Sequence, residues 1–125
     1  MNFLVIDGSQ DKIKFFSFYN NDFFHKSFTA SKDNNDKFSI LLFNFLKKNN
    51  ISLSKLNNIF VNQGPGKFSG IRASISIVKA LSFNNKLNLY GFNSEHIKDQ
   101  NYDKIIDLFN KGLLIKNLIK PRYSS

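Results

Sequence analysis

Gly64-Pro-Gly-Lys-Phe-Ser-Gly-Ile-Arg72 gathers three glycines, a proline and two cations into nine residues. Glycines tolerate close backbone approach, and Pro65 stiffens the first bend. Before the segment runs Asn58-Ile-Phe-Val-Asn62, apolar and of strand length; after it, Ile71 to Phe83 carries apolar residues at helical spacing. A glycine-rich turn between a buried strand and a helix aims backbone N–H groups and a helix N-terminus at whatever lies above, which suits an anion. Lys67 and Arg72 could meet that anion or stand in solvent. The turn is not a Walker P-loop, since no Lys-Ser/Thr pair follows Gly70. Its GxGxxxG spacing, with no acidic residue about twenty positions on, also departs from a dinucleotide fingerprint.

Asp7-Gly8-Ser9 closes an apolar N-terminal run. Actin-like and sugar-kinase-like ATPases hold a metal-bound phosphate at such a place, though an aspartate ending a strand is more often a turn residue. The other chemistry-bearing residues form no constellation. His25 and His96 lie far apart, without paired metal-ligand spacing. Ser69 and Ser74 have no evident base partner. Glu95 is the sole glutamate, and no carboxylate pair emerges. The residues for independent catalysis are missing, and neither a resident metal nor a cofactor is expected.

With 125 residues and no cysteine, a single domain without disulfides or thiolate metal sites is the expectation. The start, Met1-Asn-Phe-Leu-Val-Ile-Asp7, lacks a basic leader, and no apolar run approaches the ~20 residues of a membrane span. A cytoplasmic protein without a membrane partner follows. The formal charge of +9 invites a nucleic-acid reading. The excess is nearly all lysine, scattered along the chain (Lys12, Lys14, Lys26, Lys32, Lys55, Lys86 and Lys98 among them) and abundant beside asparagine, isoleucine and phenylalanine, a composition that an AT-rich genome produces whatever the function. Weak electrostatic help toward an RNA-bearing complex is the expectation, with a small basic RNA-binding module as one alternative.

The elements that must position these residues read as follows. Asn2 to Ile6, Lys12 to Phe18 and Phe23 to Phe28 alternate with turn residues, including Asn20-Asn21-Asp22, and predict an antiparallel three-strand meander. Ser31 to Asn35 reads as a polar loop. Asp36 to Asn49 reads as a helix with an acidic first turn and a lysine-rich last one. Strand Asn58 to Asn62, the glycine loop, the second helix and a strand at Leu87 to Phe92 imply a right-handed parallel crossover. The sum is an α/β lobe with a mixed five-stranded sheet and flanking helices. Beyond Phe92 the pattern is weaker: a short helix at Tyr102 to Leu108, a return strand at Leu113 to Ile119, and a tail from Pro121.

Both main helices are apolar on more than one face. Phe38, Leu41, Leu42 and Phe45 form one stripe, while Ile40 and Phe43 lie elsewhere. Ile71, Ile75 and Val78 form another stripe, with Ala73, Ile77 and Ala80 beside it. Such helices are either centrally buried or half of an interface. In so small a domain the second reading is favoured.

The loop Gly64 to Arg72, after its apolar strand and before a helix ending Lys79-Ala80-Leu81, resembles the TsaB (YeaZ) family, whose signature reads roughly GPGSFTGLR. Lys67 and Ser69 replace the family's serine and threonine. Leu4-Val-Ile-Asp-Gly-Ser9 is similar to the family's IDTS start, with Gly8 for threonine, and Leu89-Tyr-Gly-Phe-Asn-Ser94 to its later strand and serine. The resemblance implies a single actin-like, ribonuclease H-like lobe over residues 1–94 that has lost catalysis, with Asp7, Gly8 and Ser9 as a vestigial phosphate loop. It implies a non-catalytic subunit that binds and stabilises a TsaD-like catalytic subunit through Ile40, Phe43, Ala73, Ile77 and Ala80. That complex, with a TsaE-like ATPase as a further partner, makes N6-threonylcarbamoyladenosine beside the tRNA anticodon. Contact with tRNA would then be indirect, and in isolation the chain would pair with itself. Residues 95–125 would be a shortened remnant of the second lobe, its Pro121-Arg-Tyr123 similar to the family's closing segment. A nucleotide-binding enzyme of the same fold, using Asp7, Ser9 and the glycine loop, is the other alternative.

Overall fold

The computed structural model describes residues 1–97, 102–116 and 119–122. Strand β1 (Phe3–Asp7) is buried along its whole length and lies at the centre. β2 (Lys12–Tyr19) and β3 (Asp22–Thr29) fold onto it as an antiparallel meander. The β2–β3 hairpin turns on Asn20 and Asn21 alone, at φ of 50° and 67°. Two successive left-handed residues make a tight turn whose twist matches the strands, and asparagine tolerates that backbone better than most residues.

On the other side of β1, strand β4 (Asn58–Asn62) runs parallel to it, and β5 (Asn88–Phe92) runs parallel to β4. All five residues of β4 are buried, as a strand covered on both faces must be. A two-residue strand, β6 (Ile115–Lys116), pairs antiparallel with β5. The order β3-β2-β1-β4-β5-β6 therefore gives six strands where the sequence predicts five. The sixth arises because Ile115 and Lys116 pair with Gly91 and Tyr90 on the edge that β5 would otherwise leave open. It is far shorter than the expected Leu113 to Ile119. Residues 117 and 118, like Tyr123 of the tail, lie outside the described residues.

Helices cover both faces. The expected loop after β3 is a short helix, α1 (Lys32–Asp36), capped by Ser31, whose hydroxyl accepts from the Asn34 amide at 3.1 Å. The i,i+4 pairs Lys32–Asp36 and Asp33–Lys37 run along it. Asp36 thus ends α1 instead of opening the next helix. That helix, α2 (Phe38–Lys48), has no acidic residue in its first turn but does carry Lys47 and Lys48 in its last. The long helix α3 (Phe68–Asn85) follows the glycine loop, three residues earlier than its apolar pattern predicts. Helix α4 (Asp103–Asn110) lies one residue later than Tyr102 at its start and extends past Leu108.

Two cores result. Leu4, Ile6 and Phe15 of the sheet meet Phe38, Leu42 and Phe45 of α2 and Ile71, Ile75 and Val78 of α3. Phe15 is the aromatic hub of this core, with ring centroids of Phe28, Phe38 and Phe45 at 5.8, 5.6 and 5.7 Å. On the opposite face Phe3, Val5, Phe60 and Phe92 meet Ile97, Tyr102 and Ile105. Chain beyond Ser94 thereby covers the second side of β1, β4 and β5. Among the described residues, no helix is long and apolar enough to cross a membrane.

Candidate functional site

The ends of β1 and β4 place Asp7 and Asn62 side by side, and the glycine loop folds over them. Asp7 is 3 % exposed. Its Oδ1 accepts from the Ser9 amide at 3.0 Å and the Ser9 hydroxyl at 2.7 Å. Its Oδ2 accepts from the Tyr102 hydroxyl at 2.9 Å. Burial, reinforced by the Asp7 charge and this hydrogen bond, pushes the Tyr102 phenol far above its ordinary range. Asn62 donates to Ser9 Oγ at 3.0 Å, and its Oδ1 accepts from the Gly64 amide at 2.8 Å and the Ser94 hydroxyl at 3.2 Å. The network is internally satisfied: charged and polar groups taken from water meet donors of the same chain.

The loop is fastened to this cluster through its backbone. The Lys67 amide donates to the Ser9 carbonyl at 2.8 Å, and the Ser94 amide to the Gly64 carbonyl at 2.9 Å. Gly64-Pro65 is a cis peptide, with Gly64 at φ 108°, a conformation that favours glycine. Gly70 is required for space: a Cβ there would run into the Gly8 carbonyl, and one on Gly66 would meet the Ser9 carbonyl. Loop and first strand end therefore touch backbone to backbone.

The side chains point elsewhere. Lys67 pairs with Asp11 at 2.7 Å at the surface, which holds the Asp11 carboxyl below its usual range through the hydrogen bond and the lysine charge. The Arg72 guanidinium stands over the Phe68 ring at 6.0 Å. Ser69 is exposed, and Ser74 is buried and donates to the Ile71 carbonyl at 3.0 Å. The N-terminus of α3 opens on a cavity of about 490 Å³ whose lining includes Gly8, Ser31, Lys32, Asp36, Lys67 and Ser69. His96 accepts from the Asn93 amide through Nδ1 at 3.1 Å, while His25 is exposed on β3, so the two histidines serve separate places. Among the described residues, no group of three His, Cys, Asp or Glu side chains could hold a metal ion.

The helical candidates fall into two sets. Ile40 and Phe43 of α2 are exposed, at 58 % and 47 %. Ala73 and Ile77 of α3 are half-buried against the core and line a groove of about 320 Å³ with Phe38, Ser39 and Ser76. Ala80, one turn along α3, is exposed. Asn62 and Tyr102 are the site residues that sequence reasoning did not single out. The first carried a signal, a polar residue directly after the apolar run Ile59 to Val61 and directly before the loop; the second carried none.

A mixed sheet with a meander on one side of β1, parallel strands on the other and helices on both faces defines an actin-like, ribonuclease H-like α/β lobe. The family model described as TsaD, tRNA N6-adenosine threonylcarbamoyltransferase, matches residues 25–100, and the chain belongs to that family, among its TsaB (YeaZ) members. The tRNA threonylcarbamoyladenosine biosynthesis protein TsaB of Buchnera aphidicola subsp. Schizaphis graminum (strain Sg) is 31% identical over 97 residues, covering 78% of this chain and 46% of that protein. The protein of the same name from Buchnera aphidicola subsp. Baizongia pistaciae (strain Bp) is 33% identical over 57 residues, 46% of this chain and 23% of its own length. Among solved structures, YeaZ from Pseudomonas aeruginosa superposes with a TM-score of 0.72 at 18% identity, over 89% of this chain and 50% of that one. An uncharacterized protein with similarity to peptidase YeaZ from Pseudomonas aeruginosa gives 0.68 at 18% identity, over 74% and 43%. The chain spans half the length, or less, of these relatives.

Proposed function

We propose that this chain is a non-catalytic subunit in N6-threonylcarbamoyladenosine synthesis on tRNA, binding and stabilising a TsaD-like transferase. The relatives' names support the pathway. The observation that carries the non-catalytic part is the state of Asp7. The carboxylate that an ATPase of this fold would turn toward a metal-bound phosphate here takes its hydrogen bonds from Ser9 and Tyr102. The apolar residues of α2 and α3 that the core leaves exposed or half-buried, Ile40, Phe43, Ala73, Ile77 and Ala80, are the proposed contact surface. An interface of about 800 Å² per partner would be ordinary for such a pair. In this reading residues 1–94 are the partner-binding lobe and 95–125 a shortened remnant of a second lobe, from which Ile97, Tyr102 and Ile105 pack on the second face of the sheet. A TsaE-like ATPase would join through the transferase complex, and two copies of the chain would pair when the transferase is absent.

The test is co-purification with the TsaD-type protein of the same organism, beside Phe43→Asp and Ile77→Asp. A one-to-one complex lost in both variants supports the reading. A folded wild-type chain that captures no transferase overturns it. Nucleotide binding by the isolated chain, abolished by Asp7→Ala, would instead favour an enzyme of the same fold.

A further inference from the structure

The half of the sheet that α4 leaves uncovered carries a second surface. On β2 and β3 one face presents Lys12, Lys14, Phe16 and Phe18 opposite Thr29, Ser27, His25 and Phe23. Three of these are phenylalanines, with Phe23 in contact with the other two: ring centroids are 4.8 Å apart for Phe18–Phe23 and 5.5 Å for Phe16–Phe23. Phe23 is 61% exposed. Beside the rings lies a cavity of about 330 Å³ lined by Lys14, Phe16, His25, Ser27, Tyr102 and Asp103. Phe16 and Tyr102, centroids 5.8 Å apart, meet at one of its walls.

We propose that this face binds an unpaired RNA strand, with Phe23 as the stacking platform and the neighbouring cavity receiving a base. Every base has a π-face, so an exposed ring on a rigid sheet holds unpaired bases without regard to sequence. The volume lies within the range of small-ligand pockets, roughly 300–1,000 Å³. Lys12 and Lys14 stand two residues apart on the same strand face, where they can meet phosphates, and Ser27 and His25 offer polar groups for base edges. Charge selects the occupant. A docking protein would favour a continuous apolar patch, whereas these rings share their face with Lys12 and Lys14, which suits a polyanion. The rings lie on the side of the meander opposite the core that α2 and α3 cover, although His25 at the edge also lines a cavity with Leu41 and Lys48 of α2, and the proposal stands whether or not those helices hold a transferase.

The experiment is fluorescence anisotropy of the full chain with a labelled unpaired oligoribonucleotide of roughly 8 residues and with the same strand annealed to its complement. Titrations run at about 50 and about 200 mM salt. The unpaired strand should bind more tightly than the duplex. Phe23→Ala should weaken that binding roughly five- to hundredfold, the loss of one stacked base. Lys14→Gln should weaken it and lower the salt slope by about one. Phe83→Ala, which removes an exposed phenylalanine 86% exposed on α3, should leave it unchanged. Circular dichroism of each variant separates lost binding from lost fold. Equal binding of strand and duplex, or binding that Phe23→Ala leaves intact, overturns the proposal in favour of diffuse lysine charge. Undetectable RNA binding, with dimers that Phe23→Ala disperses, overturns it in favour of a second copy on this face.

Discussion

Tyr102 donates its hydroxyl hydrogen to Asp7 Oδ2 at 2.9 Å, joining residues 95 positions apart in the chain. The bond seals the end of β1 with a side chain from the start of α4. A buried carboxylate is costly unless donors surround it, and one of its three donors comes from outside the loop region.

Tyr102→Phe keeps the ring contacts and removes that donor. Stability should fall by about 1.5–3 kcal/mol, the range for a hydrogen bond to a charged group. Urea unfolding of the two proteins side by side measures it. A loss near zero would mean that water replaces the hydroxyl.

The same phenol sets a dependence on alkaline pH. Its folded value lies above the ordinary 10.0, so below pH 10 both states keep the proton and the stabilisation is present in full. Above that, the unfolded chain releases the proton first, and stability is lost as pH rises. Melting temperatures between pH 8.5 and 11, on the order of one step per half unit, should therefore drop more steeply for wild type than for Tyr102→Phe. Parallel curves would mean that the Tyr102 phenol does not set the loss.

Gly70→Ala should be among the most damaging single-methyl changes in the chain. The added Cβ meets the Gly8 carbonyl, a backbone atom that cannot swing away. Overpacking of this kind costs about 1–3 kcal/mol or more. A midpoint of denaturation equal to wild type would show that loop and strand end can separate without cost.

Removal of the Asn62 amide tests the network from below. Asn62→Ala leaves the Gly64 amide and the Ser9 and Ser94 hydroxyls with one partner fewer. A loss of about 1–3 kcal/mol should follow, read by chemical denaturation. Lys67→Ala is the contrasting case. Its ion pair with Asp11 is exposed, and the unfolding midpoint should not move.

The two interface variants differ in how cleanly they report. Phe43 is 47% exposed, and Phe43→Asp should leave the melting temperature near wild type. Ile77 packs half-buried against the core, and Ile77→Asp should lose about 1–3 kcal/mol by setting a partly desolvated charge against apolar neighbours. Thermal melts of both, taken beside the co-purification, assign any lost binding to surface or to fold.

Much of the lobe is legible in local pattern. The hairpin follows from Asn20 and Asn21, the crossover from an apolar strand, three glycines and a helical stripe. The split between α1 and α2 was hidden because Asp36 reads equally well as an acidic helix opening and as the end of a helix capped by Ser31. Strand β6 pairs only two residues, too few for a periodicity of its own. In the site, Asp7, Ser9 and the glycine loop stand out because turn chemistry is local. Tyr102 does not, because nothing in its own neighbours marks it as the partner of a carboxylate 95 positions away. A long-range hydrogen bond has no signature along the chain until the sheet brings its ends together.

The Lys67 amide rests on the Ser9 carbonyl, and no Cβ stands between the two backbones at Gly66. Loop and strand therefore open to solvent as one cooperative unit. In hydrogen exchange the Lys67 amide should be as slow as the amides of β1, though it sits in a surface turn that flickers freely in most proteins.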